Sequence, residues 1–257
     1  MNFKSISAII NFTFRESVKN KTYYITVLFG IVLLVMSMLL SVLGGEESVR
    51  VILDFGLAAI ELFAVLIIVF SGVNIILEEM SSKTIYLTLA RPIPRWYYLI
   101  GKYLGLLFST YVMMFIMAVI HILLLLYSGW IFDPEYLLAI AGSAMKIAII
   151  GSLAMYFSLF STSAVSSLVF TFLLWFLGHF SPEFKFLISK ITGVIPKLIL
   201  SVFYYIIPNL AYYNWRDYIG IHHPGLFTSL PYTFIYGILY SAVFLVFSII
   251  VLNKKEF

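Results

Sequence analysis

The sequence predicts an all-α polytopic membrane protein, and three observations carry that prediction. The first is composition. The 257 residues are 62% hydrophobic and 11% charged, with a mean hydropathy of +1.05, whereas soluble domains are nearer 45–50% apolar and roughly 25% charged. No water-soluble core could hide that much apolar surface, so lipid is the solvent for most of it. The second is length: the apolar stretches each run close to the roughly 20 residues that cross a hydrocarbon core as a helix. The third is that the positive charge gathers in alternate connectors.

Taken in order, the chain opens with "MNFKSISAIINFTFRESVKNK", too polar to be a signal peptide and without a small-residue cleavage site. Phe3, Ile6, Ile10 and Phe14 recur at three- and four-residue steps, while Lys4, Asn11, Arg15 and Lys19 lie on another face. That pattern predicts an N-terminal interfacial helix over 1–21, its apolar side in lipid and its basic side toward anionic headgroups. Six transmembrane helices are expected at about 22–43, 51–77, 99–127, 136–160, 163–180 and 230–252. Backbone groups in lipid must be satisfied within each segment, which selects helices, and the alternation of a barrel is absent. Within the outer loop 181–229, "VIPKLILSVFYYIIPNLAYY" (194–213) is apolar enough for a further span, but Pro196, Lys197 and Pro208 interrupt it. Short helices on or dipping into the outer leaflet before the last span, breaking at Pro208, are the expectation. The whole forms one membrane domain, 1–257, without internal repeats.

Orientation is set by Lys and Arg in short loops. Lys4, Arg15, Lys19 and Lys21, then Lys83, Arg91, Arg95 and Lys102, then Lys254 and Lys255 all fall on one side of the six-span plan. The opposite short loops hold Glu46, Glu47, Arg50, Asp133 and Glu135. Both termini are therefore expected in the cytoplasm, and the membrane in question is taken to be a prokaryotic cytoplasmic membrane.

Several chemistries are missing. Without cysteine there are no disulfides, thiolate metal sites or thiol nucleophiles. No phosphate-binding GxxxxGK[ST] loop occurs, so the chain has no ATP-binding motif of its own and binds no cofactor directly. There is no HExxH zinc motif; the adjacent His222 and His223 do not make a metal site, and His179 reads as an interfacial residue at the outer end of the fifth span. Asp54 and His121 fall nearer the outer face, where water is closer. The basic residues do not form a nucleic-acid surface. No catalytic residue is assigned. "EEMSSK" is superficially similar to the paired glutamates of prenyl endopeptidases, but Lys83 stands where that family has arginine, and its histidine motifs are missing.

The most informative connector is "EEMSSKTIYLTLARPIPRWYYLIGK" (78–102). Thr84 to Ala90 can form a short amphipathic helix with Ile85, Leu87 and Leu89 as apolar contacts. Glu78 and Glu79 suit its start, Pro92 and Pro94 stop it, and Arg91 and Arg95 can pair with acidic groups or lipid phosphates. Trp96, Tyr97 and Tyr98 re-enter the membrane as an aromatic belt. Gly101 and Gly105 allow close helix packing. Ordinary topology anchoring would explain the positive residues, but not the paired glutamates and the two prolines.

"LARPIPRWYYLIGKYLG" (89–105) resembles the class-2 ABC (ATP-binding cassette) transporter permease family. "FTFRESVKNK" (12–21) is similar to that family's basic segment before span one, and "IIPNLAYYNWRDY" (206–218) to its outer segment before the last span. The resemblance implies the membrane half of an exporter: two permease copies, as a homodimer, with separate cytoplasmic ATPase subunits that use ATP and magnesium. It implies that 78–98 is a coupling segment seated on the ATPase, with Glu78, Glu79, Lys83, Thr84, Leu87, Arg91, Pro92 and Arg95 as the coupling residues. The alternative is a membrane scaffold or mechanotransmission subunit that passes ATPase-driven motion to an extracytoplasmic partner.

Two ionisable residues fall deep in spans. Glu61 and Lys146 each lie about ten residues from the outer end of a span, roughly 15 Å down at 1.5 Å per residue. An isolated charge there is costly, so opposite signs at equal depth predict an ion pair, serving either to hold two helices together or to line a substrate path.

Overall fold

The computed structural model describes residues 3–85, 94–161, 163–220 and 226–255. Within them the only regular structure is helical: α1 (Phe3–Lys19), α2 (Lys21–Ser41), α3 (Ser48–Ser81), α4 (Arg95–Tyr127), α5 (Glu135–Phe160), α6 (Ala164–His179), α7 (Ser181–Lys190), α8 (Val194–Ile206) and α9 (Leu226–Lys254). Short 3-10 turns stand at Val42–Glu47, Leu210–Tyr213 and Trp215–Tyr218. The protein is an all-α polytopic membrane protein.

Five helices, α2, α3, α4, α5 and α9, are each long and apolar enough to span a bilayer, and α6 with α7 makes a sixth candidate bent by 63°. That bend refines the expected fifth span. The 16 residues of α6 reach only about 24 Å at 1.5 Å per residue, short of the roughly 30 Å hydrocarbon core. α6 is therefore too short to cross the core alone, and Pro182 opens α7 on a new axis.

α3 is the spine. It packs against α2, α4, α5 and α6, and Ile60, Ala64, Val65, Val69, Val73 and Ile76 on it are fully enclosed. α5 lies between α3 and α9 and contributes Ile147, Ile150, Leu153 and Leu159 to the same core. Met113, Met114 and Met117 of α4 are buried in it, whereas Phe115 is exposed. α2 is mostly exposed, with Leu28, Phe29 and Leu39 facing outward. Such apolar exteriors are stable only in lipid.

α1 forms as its spacing predicts, and Lys4, Asn11, Arg15 and Lys19 are exposed. Its apolar stripe does not simply face lipid, however. Ile9, Ile10 and Thr13 lie on Gly101 and Gly105 of α4: a Cβ on Gly101 would sit 2.7 Å from Ile9 Cγ2, and one on Gly105 would sit 2.8 Å from the Ile10 carbonyl oxygen. Thr13 and Ser17 are buried, and the rings of Phe14 and Phe108 lie 5.0 Å apart. The GxxxG spacing in α4 thus receives the N-terminal helix, because small residues let two helix backbones approach.

The long connector before the last span breaks where expected, just before Pro208, at the end of α8. Beyond the break the chain turns inward. Ile207, Leu210, Tyr213, Trp215 and Ile219 are all buried. Tyr213 Oη donates to the Thr233 carbonyl at 2.7 Å, Tyr236 Oη accepts from the Asn209 amide at 2.9 Å, and Arg50 donates to the Ile219 carbonyl at 2.7 Å. Gly142 on α5 makes room for this descent: a Cβ there would meet the Tyr213 carbonyl oxygen at 2.5 Å and the Trp215 ring at 3.2 Å.

Candidate functional site

Two polar assemblies interrupt the apolar core, one within the membrane and one at the root of the 78–102 connector.

The first is built on the Glu61–Lys146 pair. Glu61 projects from the middle of α3 and Lys146 from the middle of α5, and Lys146 Nζ donates to both carboxylate oxygens at 2.9 Å. Their side chains are 8% and 2% exposed. Burial at this level requires pairing and full hydrogen bonding, and three further side chains supply it. Ser143 Oγ, one helical turn before Lys146, donates to Glu61 Oε2 at 3.1 Å. Asn214 Oδ1, from the descending outer turn, accepts from Lys146 Nζ at 2.6 Å. His179, the last residue of α6, places Nε2 3.1 Å from Glu61 Oε1 and 3.3 Å from Lys146 Nζ.

His179 is therefore not a surface residue at the end of a full-length span. The shortness of α6 leaves it at the depth of the ion pair. His121 is also corrected. Far from reaching water, it is fully enclosed, with Nδ1 2.9 Å from Tyr136 Oη and Nε2 3.1 Å from the Ile52 carbonyl oxygen. Asp54 does lie at the surface, paired with Arg50 at 3.0 Å.

The second assembly brackets the connector. Lys102, which reads in sequence as a topology anchor, is 2% exposed and lies 2.6 Å from Glu79 and 3.0 Å from Glu16. Tyr98 Oη donates to the second Glu79 oxygen. Lys102 Nζ also sits 5.3 Å from the centre of the Phe12 ring. The end of α3, the start of α4 and α1 are thus joined through one ammonium group. On the other side of the connector, Arg95 donates to the Leu252 carbonyl at 2.8 Å and to the Lys255 carbonyl at 3.3 Å. A guanidinium there satisfies carbonyls that the last turn of α9 leaves open, at the negative end of the helix dipole. Lys255 comes next, 3.7 Å from Met80 Sδ, and its partial burial lowers its pKa.

Of the eight expected coupling residues, Glu78, Lys83 and Thr84 are exposed, and Glu79 and Arg95 are engaged inside the protein. Leu87, Arg91 and Pro92 lie outside the described residues. Lys83 has φ of 59°, the left-handed conformation usually taken by glycine just past a helix end. A lysine there costs about 1–2 kcal/mol in backbone sterics.

Sequence reading brought Glu61 and Lys146 together, but missed His179, Asn214 and Ser143 around them, and Glu16 beside Lys102. Ser143 carried a signal, one turn from Lys146 on the same face. Asn214, a lone amide in the aromatic run "AYYNW", carried a weaker one.

An all-helical bundle with charges among its apolar spans and a connector clamped at both ends defines an integral membrane protein of the permease type. The family model described as "ABC-2 family transporter protein" matches residues 7–257, nearly the whole chain. The chain therefore belongs to the ABC-2 transporter permease family. A comparison with curated proteins gives no match. Membership makes this chain a permease membrane subunit and implies a partner ATP-binding subunit.

Proposed function

We propose that the chain works in an ATP-driven exporter, as the subunit that receives motion from a separate cytoplasmic ATPase at residues 78–98. The observation that carries this reading is the bracketing of that segment. Its entry is tied through Glu79 and Lys102 to α1 and α4, and its exit through Arg95 to the end of α9. A load applied between those points reaches four helices, including the spine α3. Glu78, Lys83 and Thr84 remain exposed for the partner, and the left-handed Lys83 is a local cost of the kind found at functional positions. In this reading ATP and magnesium act on the ATPase subunit, the permease pairs with a second copy, and both termini are cytoplasmic.

The scaffold alternative draws support from α8, which has no buried residue and exposes Val194, Ile195, Leu198 and Phe203. An extracytoplasmic partner could bind there. The test is to purify the complex and replace Glu78, Lys83 and Arg91 singly with alanine. Weakened ATPase assembly or lost permease stimulation of ATP hydrolysis is expected, while the fold stays intact. If every variant retains both, the coupling assignment fails. ATP-dependent substrate movement into reconstituted vesicles separates export from scaffolding.

A further inference from the structure

The spine α3 is enclosed around most of its circumference, but one stripe near its start stays partly open among the described residues. Val51, Phe55, Ala58 and Leu62 follow one another at three- and four-residue steps, which places them on one face of the helix. The first three are half-buried and Leu62 is exposed. Beside this apolar stripe stand Glu47, Arg50 and Asp54, and the 3-10 turn Trp215–Tyr218 adds Arg216 and Asp217. These charged groups and Val51, Phe55 and Ala58 line one groove of about 630 Å3, within the roughly 300–1,000 Å3 of small-molecule sites. Its charged end lies where α3 leaves the preceding 3-10 turn, and its other end is apolar. Leu62 carries the apolar stripe beyond it, and from Arg50 to Leu62 the helix rises about 18 Å.

We propose that this groove holds the headgroup of one membrane phospholipid of the phosphoethanolamine type, its tails running along the apolar stripe into the bilayer. Two features select that occupant. The first is the change from charged to apolar along a single helix face, which matches an amphiphile lying across the edge of the hydrocarbon core. The second is that both signs of charge meet in one small space. Arg50 donates from Nε to Asp54 at 3.0 Å and from Nη1 to the Ile219 carbonyl at 2.7 Å, and a guanidinium has five N–H groups, so donors remain for a phosphate. Arg216 Nε lies 3.6 Å from Asp217, longer than a normal hydrogen bond, and its side chain is 37% exposed. Two guanidinium groups at one rim suit a phosphate. Glu47 is exposed at the same rim, and with Asp217 it offers carboxylate oxygens to a primary ammonium. A choline headgroup has no N–H to give them, and a headgroup of net negative charge is repelled by them. The inference stands on this geometry and does not require the ATPase reading.

The test uses the purified full chain in nanodiscs of equal parts phosphatidylethanolamine, phosphatidylcholine and phosphatidylglycerol with identical acyl chains. The protein is released into the gas phase, and the lipid that stays bound is identified by native mass spectrometry. Retention of phosphatidylethanolamine in preference to the other two is expected. Ala58→Trp fills the apolar end of the groove, and Arg216→Gln removes a phosphate donor. Each is expected to lower that retention by about tenfold, the scale of one charge-assisted hydrogen bond. The proposal is overturned if no lipid is retained, if phosphatidylglycerol or phosphatidylcholine is held as firmly, or if retention is unchanged in either folded variant. Should Ala58→Trp fail to fold, Arg216→Gln, a change at a partly exposed side chain, decides alone.

Discussion

At the residue scale, the core tolerates Lys146 because its ammonium is enclosed by partners rather than by lipid. Removing one member of a buried pair strands the other charge, which costs about 3–5 kcal/mol, whereas replacing both by apolar groups is close to neutral. Lys146→Met is therefore expected to destabilise the protein strongly, and the double change Glu61→Leu with Lys146→Met to recover most of that loss. Thermal unfolding in micelles, read by far-UV circular dichroism, checks both. A double variant no more stable than the single one would mean that Asn214, Ser143 and His179 contribute more than the ion pair. The same reasoning applies to Lys102, a positive residue of an apparent topology anchor. It is enclosed because two carboxylates from two different helices converge on it. Residue type and sequence position alone cannot distinguish these cases, since the partners Glu16 and Glu79 lie far from it along the chain.

At the scale of elements, the length of α6 and the small residues of α4 decide more than hydrophobicity does. α6 ends at the level of Glu61 and Lys146, and that is why His179 joins the cluster. Gly101 and Gly105 form the seat for α1. Gly105→Ala would bring a Cβ within 2.8 Å of a backbone carbonyl, which cannot swing aside as a side-chain tip can. Overpacking of this kind costs about 1–3 kcal/mol, and α1 is expected to lift from α4. Limited trypsin digestion would then cut faster at Arg15 and Lys19 with the transmembrane bundle unaffected. An unchanged cutting rate would show that the Lys102–Glu16 bridge holds α1 without the close backbone contact. The periodicity of α1 was legible in the sequence. Its partner was not, because an apolar stripe is equally compatible with lipid and with another helix.

At the scale of the whole molecule, the charges divide the structure into two sides. The absence of cysteine makes single-cysteine labelling a clean test of that division. Ser82→Cys lies in the exposed connector after α3, and Ser189→Cys on exposed α7. A membrane-impermeant thiol reagent added to whole cells is expected to label position 189 and to reach position 82 only after the membrane is opened. The reverse result would invert the topology and place the proposed ATPase surface outside. The two polar assemblies lie at two levels of the spine: one joins the connector to α1, α4 and α9, and the other joins the 207–219 turn to α3 and α5. Because α3 contributes Glu79 to the first and Glu61 to the second, a shift of α3 along its axis would load both.

The all-helical class, the apolar spans, the break before Pro208 and the depth of Glu61 and Lys146 can all be read from the amino-acid sequence. Each depends on local quantities: apolar run length, proline, and residue count at a fixed rise per residue. The groups that complete the polar clusters emerge only in the folded chain. Glu16, Asn214 and His179 reach their partners through helix packing, the inward turn of 207–219 and the early end of α6. Those placements are set by how apolar faces fit together across the whole chain, and hydropathy does not distinguish one such fit from another.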